Sequence, residues 1–158
     1  GGQGTILVRT DVGGWSSTSP PELATGRSIS IALTSVGLMV GGCSIERNES
    51  PRPVVWTSVD GPAGPFVQTV LESQTGCVLG FAEGDGMVKA LGMVDPRAAA
   101  WSSVDGVTWS QDTPGDAFTG SSAAEAVAAV NIDSTWVAVG TDHGTILSGR
   151  DELAIWRR

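Results

Sequence analysis

The chain of 158 residues has no tyrosine, one histidine (His143), one lysine (Lys89) and two cysteines. Each shortage removes a class of chemistry. Without tyrosine there is no phenolic nucleophile. A single histidine excludes a multi-histidine metal site and leaves His143 at most a lone general base, so neither a metal nor another cofactor is expected. Positive charge is scarce too: nine basic residues stand against seventeen acidic ones, a formal charge of −8. That balance opposes capture of a phosphate backbone and argues against nucleic acid as a partner. No run approaches the roughly 20 apolar residues that cross a bilayer. No arginine cluster forms a basic amphipathic face, and no basic-then-apolar stretch opens the sequence, so direct membrane insertion is not expected.

Two cysteines cannot build a disulfide framework but can make one staple. Cys43 follows the apolar run Leu38–Gly42, and Cys77 opens the run Cys77–Ala82. In neighbouring antiparallel hairpins the end of one second strand and the start of the next first strand reach the same face, which favours a Cys43–Cys77 bridge over two buried thiols. A bridge implies an oxidising compartment, and hence a secreted, cell-surface or periplasmic protein.

What the sequence does contain is glycine, small apolar residues and a repeat. Hydrophobic content is 41%, with 22 glycines and 8 prolines, a composition of short strands joined by tight turns. Aspartates at 11, 60, 105 and 151 are spaced by 49, 45 and 46 residues, a period suited to four-stranded propeller blades. The clearest copy runs from Trp101 through Ser103, Asp105 and Gly106 to Trp109. The second runs from Trp56 through Ser58, Asp60 and Gly61, with Phe66 in place of the closing tryptophan. The first joins Asp11 to Trp15, and the last joins Asp151 to Trp156.

Aligned on these aspartates, each unit has the same order of strands. First strands are expected at Ser28–Leu33, Cys77–Ala82 and Ala124–Val130, and second strands at Leu38–Gly42, Met87–Gly92 and Trp136–Gly140. Third strands fall at Pro53–Ser58, Ala98–Ser103 and Thr145–Ser148. Fourth strands include Val107–Ser110 and Ala154–Arg157, which pairs Trp109 with Trp156. Alanine-rich 123–129 has helical propensity, but its register with the other copies makes it a strand. Gly4-Thr5-Ile6-Leu7 recurs as Gly144-Thr145-Ile146-Leu147, so the sequence enters the repeat at a third strand. The expectation is an all-β chain of about three four-stranded antiparallel blades plus an N-terminal half-blade. Its units are 4–20, 26–72, 75–114 and 122–158, part of a larger or oligomeric propeller in which further blades or another chain complete the ring.

The segments Gly4–Trp15 and Ser103–Trp109 resemble the Asp-box, or BNR, repeat of sialidases, sortilin-type receptors, some xyloglucan-degrading hydrolases and the propellers of photosystem II assembly factors. The resemblance implies a structural box, set away from the ligand face, at Asp11, Trp15, Ser58, Asp60, Gly61, Ser103, Asp105, Gly106, Trp109, Asp151 and Trp156. Two copies depart from the pattern: a proline-rich insertion follows Asp60, and Asp151 lacks the following glycine. Sialidase chemistry in the resembling enzymes uses a tyrosine nucleophile, which this sequence does not contain.

Two functions remain. The favoured one is a non-catalytic extracytoplasmic scaffold that binds a protein or glycan partner. It would use the variable loops between second and third strands, at Glu46, Arg47, Asp95, Arg97, Asp142 and His143. The alternative is a part of a secreted glycoside hydrolase whose paired carboxylates lie outside or across the blades, with Asp85, Asp95, Asp142 and Glu46 as loop acids that no pattern pairs. The excess of arginine over lysine, with abundant alanine, glycine and valine, matches a GC-rich bacterial genome.

Overall fold

The structure, a computed structural model, describes residues 4–9, 13–45, 49–112, 124–142 and 152–157. Period-two runs of small and β-branched residues, broken by glycine and aspartate turns, form antiparallel strands throughout, in four sheets. Sheet A is the hairpin β1 (Ile6–Arg9) and β2 (Trp15–Thr18). A short 3-10 turn, Pro21–Thr25, leads to sheet B: β3 (Gly26–Thr34), β4 (Gly37–Ser44), β5 (Pro53–Ser58) and β6 (Val67–Val70). Sheet C holds β7 (Gly76–Gly84), β8 (Met87–Val94), β9 (Arg97–Ser103) and β10 (Ser110–Gln111). Sheet D holds β11 (Ala124–Ile132), β12 (Thr135–Asp142) and β13 (Glu152–Arg157). Within each sheet the strands lie side by side in chain order. The chain is thus all-β, and the alanine-rich segment is a strand.

One register recurs. The first two strands of sheets B, C and D close on two-residue loops, with Thr34 opposite Gly37, Gly84 opposite Met87 and Ile132 opposite Thr135. Asp85-Gly86 and Asp133-Ser134 both take positive φ at both positions, as a tight hairpin turn matched to strand twist requires. Each first strand then carries a bulge at the same place, marked by Ile29, Leu79 and Val127. Opposite each bulge stands a glycine: Gly42, Gly92 or Gly140. A Cβ there would collide with the carbonyl oxygen of Arg27, Cys77 or Glu125 respectively, so the bulge and its glycine are one device used three times.

Three cores separate the sheets. Ile6, Leu23, Val40, Val54, Trp56 and Phe66 fill the space between A and B. Val55 of sheet B packs on Val78, Ala90, Ala99 and Trp101 of sheet C. Leu91, Ala98 and Ala100 of sheet C meet Ala124, Ala126 and Ala138 of sheet D. Trp56 and Trp101 are fully enclosed. The expected staple is present: Cys43 of β4 is bonded to Cys77 of β7 at a Cα separation of 4.7 Å, tying sheet B to sheet C.

Two expectations are corrected. The fourth strand of sheet C begins at Ser110 rather than Val107. The amides of Val107 and Thr108 are instead taken by the Asp105 carboxylate, which delays the ladder. The other correction concerns β13, which pairs directly with β12 and sets Trp156 opposite Ala138. That is the register of Trp56 opposite Val40 and Trp101 opposite Ala90. Glu152–Arg157 therefore occupies a third-strand place, and Trp156 matches Trp56 and Trp101 instead of Trp109. Thr145–Ser148, the expected third strand, lies outside the described residues, as do Asp11 and Asp151.

Candidate functional site

The repeated register sends the connections to two opposite ends of the stack. At one end lie the tight hairpin loops 35–36, 85–86 and 133–134, together with the aspartate turns after β5 and β9. At the other, Gly26 is opposite Ser44, Gly76 opposite Val94 and Ala124 opposite Asp142. From this second end leave the three connections between second and third strands, which differ in length: residues 45–52, 95–96 and 143–151. An unchanging frame with variable connections at one end is the arrangement on which binding residues are displayed.

Of the residues expected there, Asp95 and Arg97 are exposed at the shortest connection, Asp95-Pro96. Asp95 has a φ of 31°, and its amide donates to the Thr75 carbonyl at 2.9 Å, so its carboxylate projects from a fixed backbone. Asp142 ends β12 and is half-buried. Beside it Thr141 Oγ1 donates to Glu125 Oε1 at 3.1 Å. In the longest described part of the first connection, Arg52 pairs with Glu49 at 3.2 Å. Glu46, Arg47 and His143 lie outside the described residues.

The aspartate turns show what the motif does where it is most complete. Asp105 Oδ1 accepts from the amides of Thr108 (2.6 Å) and Val107 (2.8 Å) and from Ser103 Oγ (3.0 Å). Ser103 Oγ accepts in turn from the Gly106 amide at 2.8 Å. Gly106 O then receives Trp109 Nε1 at 3.2 Å and, from sheet B, Thr57 Oγ1 at 2.7 Å. Amide bonds from Thr108 and then Val107 hold the Asp105 carboxyl well below the usual carboxylate range. The copy at Asp60 is built differently: Ser58 Oγ, the counterpart of Ser103 Oγ, is buried without a hydrogen-bond partner. Gly64 folds back on Asp60 through a bond from its amide to the Gly61 carbonyl, the result of the proline-rich insertion. Trp15, the closing tryptophan of the first copy, is 68% exposed.

Comparisons with protein-family models, with curated proteins and with solved structures find no match. The chemistry of the site is accordingly that of its own side chains.

One polar cluster escapes sequence reasoning. Lys89 Nζ, on β8, donates to Asp112 Oδ2 at 2.6 Å and to Ser102 Oγ at 2.7 Å, while Ser102 Oγ donates to Asp112 Oδ1. The Lys89 ammonium also lies 5.1 Å from the Trp136 ring of sheet D. A serine beside a lysine can be a nucleophile and its base. Here the hydroxyl donates a hydrogen bond to a carboxylate and accepts one from the ammonium, which is the closed ring of a buried structural ion pair. The signal for it was the lone lysine within Met87–Gly92, a run otherwise small and apolar. Among the described residues no group of three or more His, Cys, Asp or Glu side chains is arranged to hold a metal, and no helix is long and apolar enough to cross a membrane.

Proposed function

We propose that the chain is a segment of a non-catalytic, extracytoplasmic β-propeller of the Asp-box kind, serving as a scaffold that binds a protein or glycan. The single observation that carries this reading is the frame of sheets B, C and D. Three bulges, three opposing glycines and three second-to-third strand pairings repeat in one register, while the connections at one end of that frame vary from two to nine residues. In this reading the sheets are blades, further blades or another chain complete the ring, and the aspartate turns are struts at the end away from the ligand. The Cys43–Cys77 bond fits an oxidising environment, which agrees with a secreted or cell-surface location.

The test is a screen of the intact chain against glycan arrays and against proteins of its own extracellular milieu, followed by the variant Asp95→Asn/Arg97→Ala. Asparagine tolerates the positive φ at position 95, so folding is preserved. Binding is expected to weaken by about tenfold or more, with the melting temperature unchanged, since truncating residues at the centre of an interface costs on the order of 1–2 kcal/mol. Cleavage of a glycan that disappears when two particular carboxylates are neutralised would replace the scaffold by a glycoside hydrolase.

A further inference from the structure

The same interface is used twice inside the chain and left half-made a third time. Where sheet C meets sheet B, the hairpin β3–β4 covers the near face of β7, with Gly41, beside Ser30, set against Val78 and Phe81. Where sheet D meets sheet C, the hairpin β7–β8 covers β11, with Gly80 and Ala82 against Val127 and the alanine core. Each contact ends in a polar clasp from the end of a first strand to the hairpin loop before it. Glu83 accepts from the Ser35 amide at 3.1 Å, and Asn131 Nδ2 donates to Asp85 at 2.8 Å.

Among the described residues, sheet B has no such hairpin in front of it. By register, Ile31 and Leu33 stand where Phe81 and Glu83 stand in sheet C, and they are 56% and 82% exposed. Sheet A covers only the outer part of this face. Between β1 and β3 lies a groove of about 340 Å³, bordered by Ile6, Leu7, Leu23, Ile29, Ile31 and Val40. A second, independent sign comes from the aspartate turns. A Cβ at Gly106 would press on Met39, Val36 and Thr57 of the preceding sheet, whereas a Cβ at Gly61, its counterpart with φ 81°, would meet nothing within 4 Å. A third is the edge of β1 away from β2, which has no strand beside it among the described residues, whereas the equivalent strands β5 and β9 are bonded there by β4 and β8.

We propose that the groove between β1 and β3 is an acceptor for an antiparallel β-hairpin of a partner polypeptide, its second strand pairing antiparallel to the free edge of β1 and its small-residue face covering Ile31 and Leu33. The inference deepens the propeller reading above and rests on it. The chemistry of the occupant follows from the two hairpins that fill the equivalent places, which turn serine, alanine, glycine and leucine toward the next sheet. It differs from them in one respect: Leu33 replaces the clasping Glu83 or Asn131, so the partner's loop is met by an apolar side chain and offers no amide to a carboxylate. Strand addition of this kind draws affinity from main-chain bonds and specificity from the side chains beneath.

A chimera in which residues 76–96, with Cys77→Ser in that segment only, replace Gly1 and Gly2 supplies such a hairpin in cis. It uses the same Asp95-Pro96 link that joins β8 to β9, at millimolar effective concentration. Amide exchange at Ile6–Arg9 is expected to slow by about tenfold or more relative to the unaltered chain, with binding of an anilinonaphthalene dye reduced. Leu33→Asp, at a position too exposed to disturb folding, is expected to abolish both effects. Unchanged exchange in the chimera, or effects indifferent to Leu33→Asp, would overturn the proposal. Sedimentation of the unaltered chain provides the other arm: self-association that protects β1 without the graft would make a second copy the occupant and overturn the assignment to a partner. None of these results depends on the original Asp95 and Arg97 at the β8–β9 connection, which the chimera leaves in place, so the binding-loop reading fails or stands separately.

Discussion

Asp105 holds its turn with a charged carboxylate, and that has a measurable signature. Its folded-state pKa is depressed from the ordinary 3.8 by amide hydrogen bonds from Thr108 and Val107. The stabilisation is therefore complete above that ordinary value and is lost as pH falls toward the folded one. Thermal melts of the native chain and of Asp105→Asn should differ most near neutrality and converge in acid. A gap that stays constant from neutral pH to a pH of about 2 would remove the carboxylate from this role. The two buried tryptophans are not equivalent either. Trp56 Nε1 donates to Gln68 Oε1 at 3.2 Å, whereas Trp101 Nε1 is buried without a partner. Replacement by phenylalanine removes volume at both sites but a hydrogen bond only at Trp56. Trp56→Phe should cost about 1–3 kcal/mol and Trp101→Phe measurably less, read from urea midpoints of the two variants. At this scale the sequence was informative wherever a residue type is demanded by backbone geometry, as at Asp105 and Gly106. It was mute where partners come from other sheets. Nothing near Lys89 in the chain announces Asp112 or Trp136, because Asp112 is brought in by the pairing of β9 with β10 and Trp136 by the way sheet D faces sheet C.

Among the elements, strands and loops were the most legible. Pro53–Ser58 forms as read, Leu38–Gly42 forms with one residue added before it and two after, and Met87–Gly92 with two added after it, because period and turn chemistry agree there. The place of β13 was not legible. The repeated tetrapeptide at 144–147 and the aspartate at 151 pointed to a fourth strand, yet pairing with β12 follows the tryptophan register instead. Local likeness competes poorly with a ladder that fills an open edge. The disulfide belongs to this scale as well. It joins β4 to β7 across 34 residues of sequence, so its removal frees a loop of that length in the unfolded chain. The double variant Cys43→Ser/Cys77→Ser should lose about 3 kcal/mol of stability while keeping its far-ultraviolet dichroism. A loss of strand signal would mean instead that the bond is needed to form sheets B and C at all.

For the molecule as a whole, the described residues of sheets B, C and D pack in sequence, B on C and C on D, and such stacks are stable in proportion to the interfaces they complete. Their outer surfaces remain apolar: Leu33 and Ile31 at one end, Val130, Ile132 and Ile155 at the other, all more than half exposed. The position of the candidate binding end could be inferred from the repeat, since connection lengths are visible in sequence. Which side chains stand near one another there could not, because Asp95 and Arg97 belong to sheet C and Asp142 to sheet D.

The enclosure of Lys89 has a practical outcome. These 158 residues hold no other lysine, and its side chain is 9% exposed, with the ammonium between Asp112 and Trp136. Amine-directed chemistry will therefore find no side chain on the surface of the folded molecule. Succinimidyl labels, lysine cross-linkers and trypsin cutting after lysine should all leave it untouched until it opens, which turns acylation of that one nitrogen into a direct clock for the separation of sheets C and D.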